Sequence, residues 1–138
     1  MSDWNEISIE AKKEKIPLAV EFIEDVMTSS RFDRRRILEV QLAVEEAFTN
    51  TALHGYRGNK GTIRICSRDI DDGMEVVIED DGLPFDPTRL KAPVLIDDVE
   101  MRPIGGLGVH LMRTFLDGMR YEFKDGKNNL ILMIKRRK

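Results

Sequence analysis

The chain has one cysteine, Cys66, and only two histidines, His54 and His110. A single thiol cannot close a disulfide within the chain or build a cysteine-based metal cluster, and two histidines do not make a histidine-rich site. Aromatic residues are scarce at 7%, and no apolar run approaches the length of a membrane span. The N-terminal stretch "MSDWNEISIEAKKEK" lacks the apolar centre of a secretory signal. Neither sign of charge dominates, since a formal net charge of −3 gives no general attraction to nucleic acid or an anionic membrane. The basic end, "IKRRK", reads as a solvated tail behind a last strand. Together these absences predict a reduced, soluble, cytoplasmic protein with no direct nucleic-acid partner and no membrane partner.

What is present suits one domain. A chain of 138 residues, 41% hydrophobic and 34% charged, can bury one real core but not two. "EISIE" alternates as a short strand, and residues 16–28 carry apolar side chains at helical spacing. Asp33 is placed to cap a second helix running to about His54, and "GYRGNKG" then supplies a turn. Strands at 62–68 and 74–80 flank "DIDDG". Residues 83–105 hold most of the prolines and show no clean period, which marks a functional or disordered connection. A glycine-led helix, "GGLGVHLMRTFLDG", precedes two closing strands around "KDGKN". The order β-α-α-β-β-loop-α-β-β predicts an α+β fold, with helices covering one face of a mainly antiparallel sheet.

Three places carry chemistry. At roughly 100° per residue, Glu46 and Asn50 fall within about 40° of each other on the second helix, with Ala43 and Ala47 beside them. Ile37, Val44 and Phe48 point the opposite way, so the helix should be largely buried. A buried Glu46 would need a reason, because an unpartnered carboxylate is costly there. A carboxylate can take a proton from an attacking hydroxyl, and an amide oxygen suits Mg²⁺. Alone, the same pair reads equally well as the edge of a solvated face. Second, Met74, Val76 and Ile78 line one face of a strand and Asp80 continues that line, with Gly82 two residues on. Such an Asp can read an exocyclic amine; an ordinary "DDG" turn is the plainer alternative. Third, Gly105, Gly106 and Gly108 lead into a helix, whose free N–H groups can receive a phosphate. Neither a Walker A loop nor a Rossmann fingerprint is present there.

In order, "AVEEAFTNTALHGY", "EDDGLPFDP" and "RPIGGLGVHLMRTFLDGMRYEF" resemble the three motif boxes of the GHKL, or Bergerat-fold, ATPase superfamily. More closely they resemble its small branch of anti-sigma-factor serine-protein kinases. The resemblance implies a two-layer α/β sandwich with a mainly antiparallel mixed sheet, covering residues 1–138 as one ATP-binding kinase domain. It makes Glu46 the general base, Asn50 the Mg²⁺ ligand, and Asp80 the adenine-amine acceptor with Gly82 giving the ring room. Residues 86–105 become an ATP lid carrying Arg102 as the cation near the phosphates. Gly106, Leu107, Gly108 and Val109 bring backbone N–H groups to those phosphates. Two departures stand out. Pro84 occupies the place of a second glycine, and "KNNLIL" replaces the usual threonine near the adenine-binding Asp, leaving Asn128 or Asn129 to take its part.

The implied activity is transfer of the ATP γ-phosphoryl group to a serine or threonine of a STAS-domain anti-sigma-factor antagonist. A sigma factor or other regulator would compete for the same kinase. The alternative is a nucleotide-binding sequestration module without kinase activity. A homodimer through the N-terminal strand and the helix after it is a further expectation.

Overall fold

A computed structural model describes residues 4–56, 59–89 and 106–136, with only the backbone described for 106–110. Arg102 and most of the expected lid, residues 90–105, lie outside the described residues.

The strands are β1 (Asn5–Glu10), β2 (Thr62–Ile70), β3 (Gly73–Asp80), β4 (Gly118–Lys124) and β5 (Lys127–Lys135). The α-helices are α1 (Ile16–Ser29), α2 (Arg34–Asn50) and α3 (Gly106–Phe115). Local chemistry sets the boundaries. Pro17 stands in the first turn of α1, where its missing N–H costs nothing. The Asp33 carboxylate accepts the Arg36 N–H at 2.7 Å and so caps α2, as its sequence position predicts. Asp125 and Gly126 both have positive φ, 55° and 76°, which gives the tight turn that joins β4 to β5.

The five strands run in the order β1-β2-β3-β5-β4. The sheet is antiparallel as expected, and all four pairings among the described strands are of that kind, so none of them makes it mixed. Side chains alternate across it. Met74, Val76 and Ile78 of β3 meet Leu130, Leu132 and Ile134 of β5 on the face covered by helices. Ile23 and Met27 of α1 and Val40, Val44 and Phe48 of α2 close the core from above. Each such fully buried side chain contributes roughly 1.5–3 kcal/mol. The opposite face carries a ladder of ion pairs, with Arg64 beside Glu6 and Glu79 and Lys127 beside Glu79 at 3.4 Å. No described helix is long and apolar enough to cross a membrane.

The second helix does not continue unchanged to His54. It is α-helical to Asn50 and then passes through a π-helical turn, Thr51–Gly55. That wider turn redirects the chain at the point where α2 meets the end of β3, a location typical of functional sites.

Candidate functional site

A narrow cleft opens between the C-terminal end of α2 and the sheet. Ala47 and Asn50 line it from the helix, Ile78 and Asp80 from β3, and Tyr121 and Asn128 from the closing hairpin.

Asp80 is 7% exposed because it continues the core-facing line of β3. Its Oδ1 accepts the Gly82 N–H and the Asn128 Nδ2, each at 2.9 Å. Its Oδ2 has no hydrogen-bond partner among the described residues. Burial pushes the Asp80 carboxyl above the usual carboxylate range, while the bonds from Asn128 and Gly82 pull the other way.

Register distinguishes the two candidate asparagines. Asn128 pairs with Asp80 across β3–β5 and shares its inward face, whereas Asn129 pairs with Glu79 on the other face. Asn128 Nδ2 also donates to the Leu83 carbonyl at 3.1 Å and the Gly82 carbonyl at 3.3 Å. Its Oδ1 accepts the Phe85 N–H at 3.2 Å and the Tyr121 hydroxyl. One amide therefore ties the loop after β3 to both closing strands. Asn129 instead bonds its own neighbourhood, the Lys127 carbonyl at 3.3 Å.

The loop is also held from the side of the π-turn. Leu83 N–H donates to the Gly55 carbonyl at 2.8 Å. A Cβ at Gly82 would stand 2.6 Å from that carbonyl oxygen, so two backbones touch here and no side chain fits. The expected role of Gly82, room for a ring, thus has a neighbour that the motif did not reveal. Tyr56 completes the attachment. Its hydroxyl lies 2.8 Å from both the Thr62 carbonyl and an Asp81 carboxylate oxygen, and accepts the Asp81 N–H at 3.1 Å. Burial and the acidic neighbours hold its phenol at about 12, so it stays a protonated donor. Gly55 and Tyr56 sit in the quoted motif, yet only the packing shows their task.

At the helix end the surroundings differ. Asn50 is 4% exposed, and its Nδ2 is buried with no hydrogen-bond partner among the described residues. Glu46, one turn earlier on the same line, was expected to be buried and is not. It is half-buried, because the line from Glu46 to Asn50 descends from the helix edge into the cleft. The desolvation problem therefore belongs chiefly to Asn50. Partial burial raises the Glu46 carboxyl, and the charge of adjacent Glu45 raises it further. Ala43 and Ala47 are buried beside the pair, and Leu42 and Leu53 flank it on the solvent side at 48% and 55% exposure. His54 stacks on Phe85 with ring centroids 4.6 Å apart. Gly106, Leu107, Gly108 and Val109 form the first turn of α3, whose leading N–H groups have no acceptor within the helix.

No cluster of three or more His, Cys, Asp or Glu suited to a metal exists among the described residues. That donor set does not make an all-protein cage. It fits a cation such as Mg²⁺ that arrives on phosphate oxygens and takes one or two protein ligands. The orphaned Asn50 amide fits one of those places, since a half-turn of the amide presents its oxygen.

Helices on one face of an antiparallel sheet, with a buried carboxylate and a buried amide on one cleft, form an α/β sandwich consistent with the fold of GHKL ATPase domains. The family described as Histidine kinase-like ATPase domain matches residues 9–135, and the chain belongs to that family. It is 29% identical to the protein named Serine-protein kinase RsbW of Listeria innocua serovar 6a over 131 residues, covering 91% of this chain and 83% of that protein. It is 30% identical to a Bacillus cereus protein of the same name over 130 residues, covering 91% and 81%. It is also 29% identical to the protein named Serine/threonine-protein kinase BtrW of Bordetella bronchiseptica over 115 residues, covering 83% and 81%. Membership of this family implies use of ATP.

Proposed function

We propose that the chain is an ATP-dependent protein serine/threonine kinase of a bacterial partner-switching system. Its substrate is a STAS-domain anti-sigma-factor antagonist, and the unphosphorylated antagonist competes for it with the sigma factor or other regulator that it sequesters. The observation that carries this reading is the Glu46–Asn50 line, a half-buried carboxylate one turn above a buried amide without a partner among the described residues. Similarity to proteins named as kinases supports it.

Each part has a task. Asp80 Oδ2 accepts the exocyclic amine of adenine, while Asn128 and Gly82 hold Oδ1 and so fix the carboxylate plane. The first-turn N–H groups of α3, at Gly106, Leu107, Gly108 and Val109, receive the phosphates. Asn50 would hold Mg²⁺, which supplies neutralisation of charge on the phosphate oxygens. Arg102 is assigned to the lid as a second source of positive charge. Glu46 takes the proton from the substrate hydroxyl as its oxygen bonds to the γ-phosphorus, and the bond to the β–γ bridging oxygen breaks to release ADP. Positioning and charge neutralisation dominate such a transfer, so a carboxylate base, an amide and helix-start N–H groups suffice.

Because partial burial and the charge of Glu45 raise the Glu46 carboxyl, it takes up its proton at a higher pH than an ordinary glutamate. Transfer therefore falls with decreasing pH earlier than it would for a fully solvated base. The whole chain acts as one domain in the cytoplasm, and a second copy docks through β1 and α1.

The test is ATP, Mg²⁺ and the STAS-domain protein of the same cell, with phosphate followed onto the partner. Wild type should transfer, and Glu46→Gln should lower the rate by about 100-fold or more while ATP still binds. Unchanged transfer by Glu46→Gln removes the assigned base. Nucleotide binding with no transfer from wild type selects the sequestration module instead.

A further inference from the structure

Away from the cleft, one charged side chain is buried where its sequence, "DRRRI", gives little notice. Arg36 is 3% exposed, on the line of Val40, Ala43 and Ala47 that faces the core. Its guanidinium is spent on three other parts of the fold. One Nη donates to the Phe115 carbonyl, the last residue of α3, and to Glu39 at 3.1 Å. The other Nη donates to the Asp117 carboxylate. Nε donates to the Lys135 carbonyl at 3.3 Å, and the Lys135 N–H returns to the same Asp117 carboxylate at 2.6 Å. Asp117 N–H in turn donates to the Met133 carbonyl at 2.9 Å. A planar fork of this kind fixes direction as well as distance.

The clamp stands at one end of α2, only two residues after Arg34. The α3 helix packs along α2, so its body must run from the clamp toward the Glu46–Asn50 end. With a rise of about 1.5 Å per residue, the first turn of α3 lies roughly 13 Å from Phe115, and Glu46 roughly 15 Å from Arg36. Sliding α3 along α2 would therefore shift its leading N–H groups against the catalytic line by the same amount. Burial of a charge is a poor route to stability alone, since apolar packing does as well.

We infer that Arg36 is a positioning residue: through Phe115 and Asp117 it sets the axial register of α3 on α2, and with it the reach of α3's first turn to the nucleotide phosphates. This rests on the ATP-site reading proposed above. It separates the two halves of the ligand, because the base end, held by Asp80 and Asn128, does not depend on α3.

Calorimetric titration of the full chain with ATP and with adenosine tests it, comparing wild type, Arg36→Lys and Asp117→Asn, with melting temperatures measured alongside. Arg36→Lys keeps the charge but loses the fork. ATP affinity should drop about tenfold, the order expected for a small misplacement of binding groups, while adenosine affinity stays within about twofold. Should Arg36→Lys fail to fold, Asp117→Asn carries the same comparison, because it leaves Arg36 its two carbonyl bonds. Equal weakening of ATP and adenosine, or no change in either, overturns the inference and leaves the clamp a stabilising contact. Absence of ATP binding by wild type would instead strike the nucleotide reading, and this inference with it.

Discussion

Asp80 and Asn50 are both buried polar side chains on one cleft, and they are built into it in opposite ways. Around Asp80 the chain has made the bonds in advance: Gly82 and Asn128 occupy one carboxylate oxygen, and Asn128 is itself held by Phe85 and Tyr121. Around Asn50 it has made almost none, and the amide nitrogen stands buried without a partner among the described residues. A buried polar group left unpaired costs stability, so Asn50 carries a penalty that Asp80 largely avoids. On the proposed ATP-site reading, the difference separates recognition from reaction. A base of fixed shape would be met by a rigid acceptor, whereas a metal-bearing phosphate chain would need free coordinating capacity at the moment of binding.

The sharpest way to break that comparison is Asn128→Ala. It strips partners from Asp80, Leu83, Phe85 and Tyr121 together, and should cost roughly 2–3 kcal/mol in chemical denaturation along with most of the adenosine affinity. A variant as stable as wild type would mean the Asp80 end is not pre-tied. Next, Asn50→Leu exchanges an unpaired amide for an apolar side chain of similar shape. Its stability should stay within about 1 kcal/mol of wild type or rise, while the Mg²⁺ dependence of ATP affinity disappears. A loss as large as that of Asn128→Ala would show the amide to be a structural group after all. The smallest effect concerns Glu45→Gln. The negative charge of Glu45 disfavours ionised Glu46, so removing it lowers the Glu46 carboxyl toward its ordinary range. The acid limb of the transfer rate should then move to lower pH, with the plateau unchanged. An unmoved limb would mean that Glu46 is not the titrating base.

Much of this was legible before any coordinates. Periodic spacing, together with turn and glycine signals, locates the described strands and α-helices, because the spacing follows from burying one face of each element. Asp80 was legible for the same reason, as the next residue on an apolar strand face. The burial of Glu46 was not, since a helical wheel gives direction but not depth. It marks the side on which Glu46 and Asn50 lie, and only the packing of α2 places the first at the rim and the second inside. The choice between Asn128 and Asn129 depended on strand register, which a chain read without its pairing does not contain. Arg36 had a signal, its spacing from Val40 and Ala47, but a run of three arginines looks solvated until a partner such as Asp117 is known.

The contact between Gly55 and Gly82 also has a consequence for inheritance. Most clashes caused by a new side chain can be relieved by a second mutation that shrinks the neighbour. Here the neighbour is backbone, contributed by a residue that already has no side chain to surrender. No substitution at position 55 can relieve a side chain at position 82 by shrinking, so a lineage that loses Gly82 cannot be rescued at the residue it clashes with.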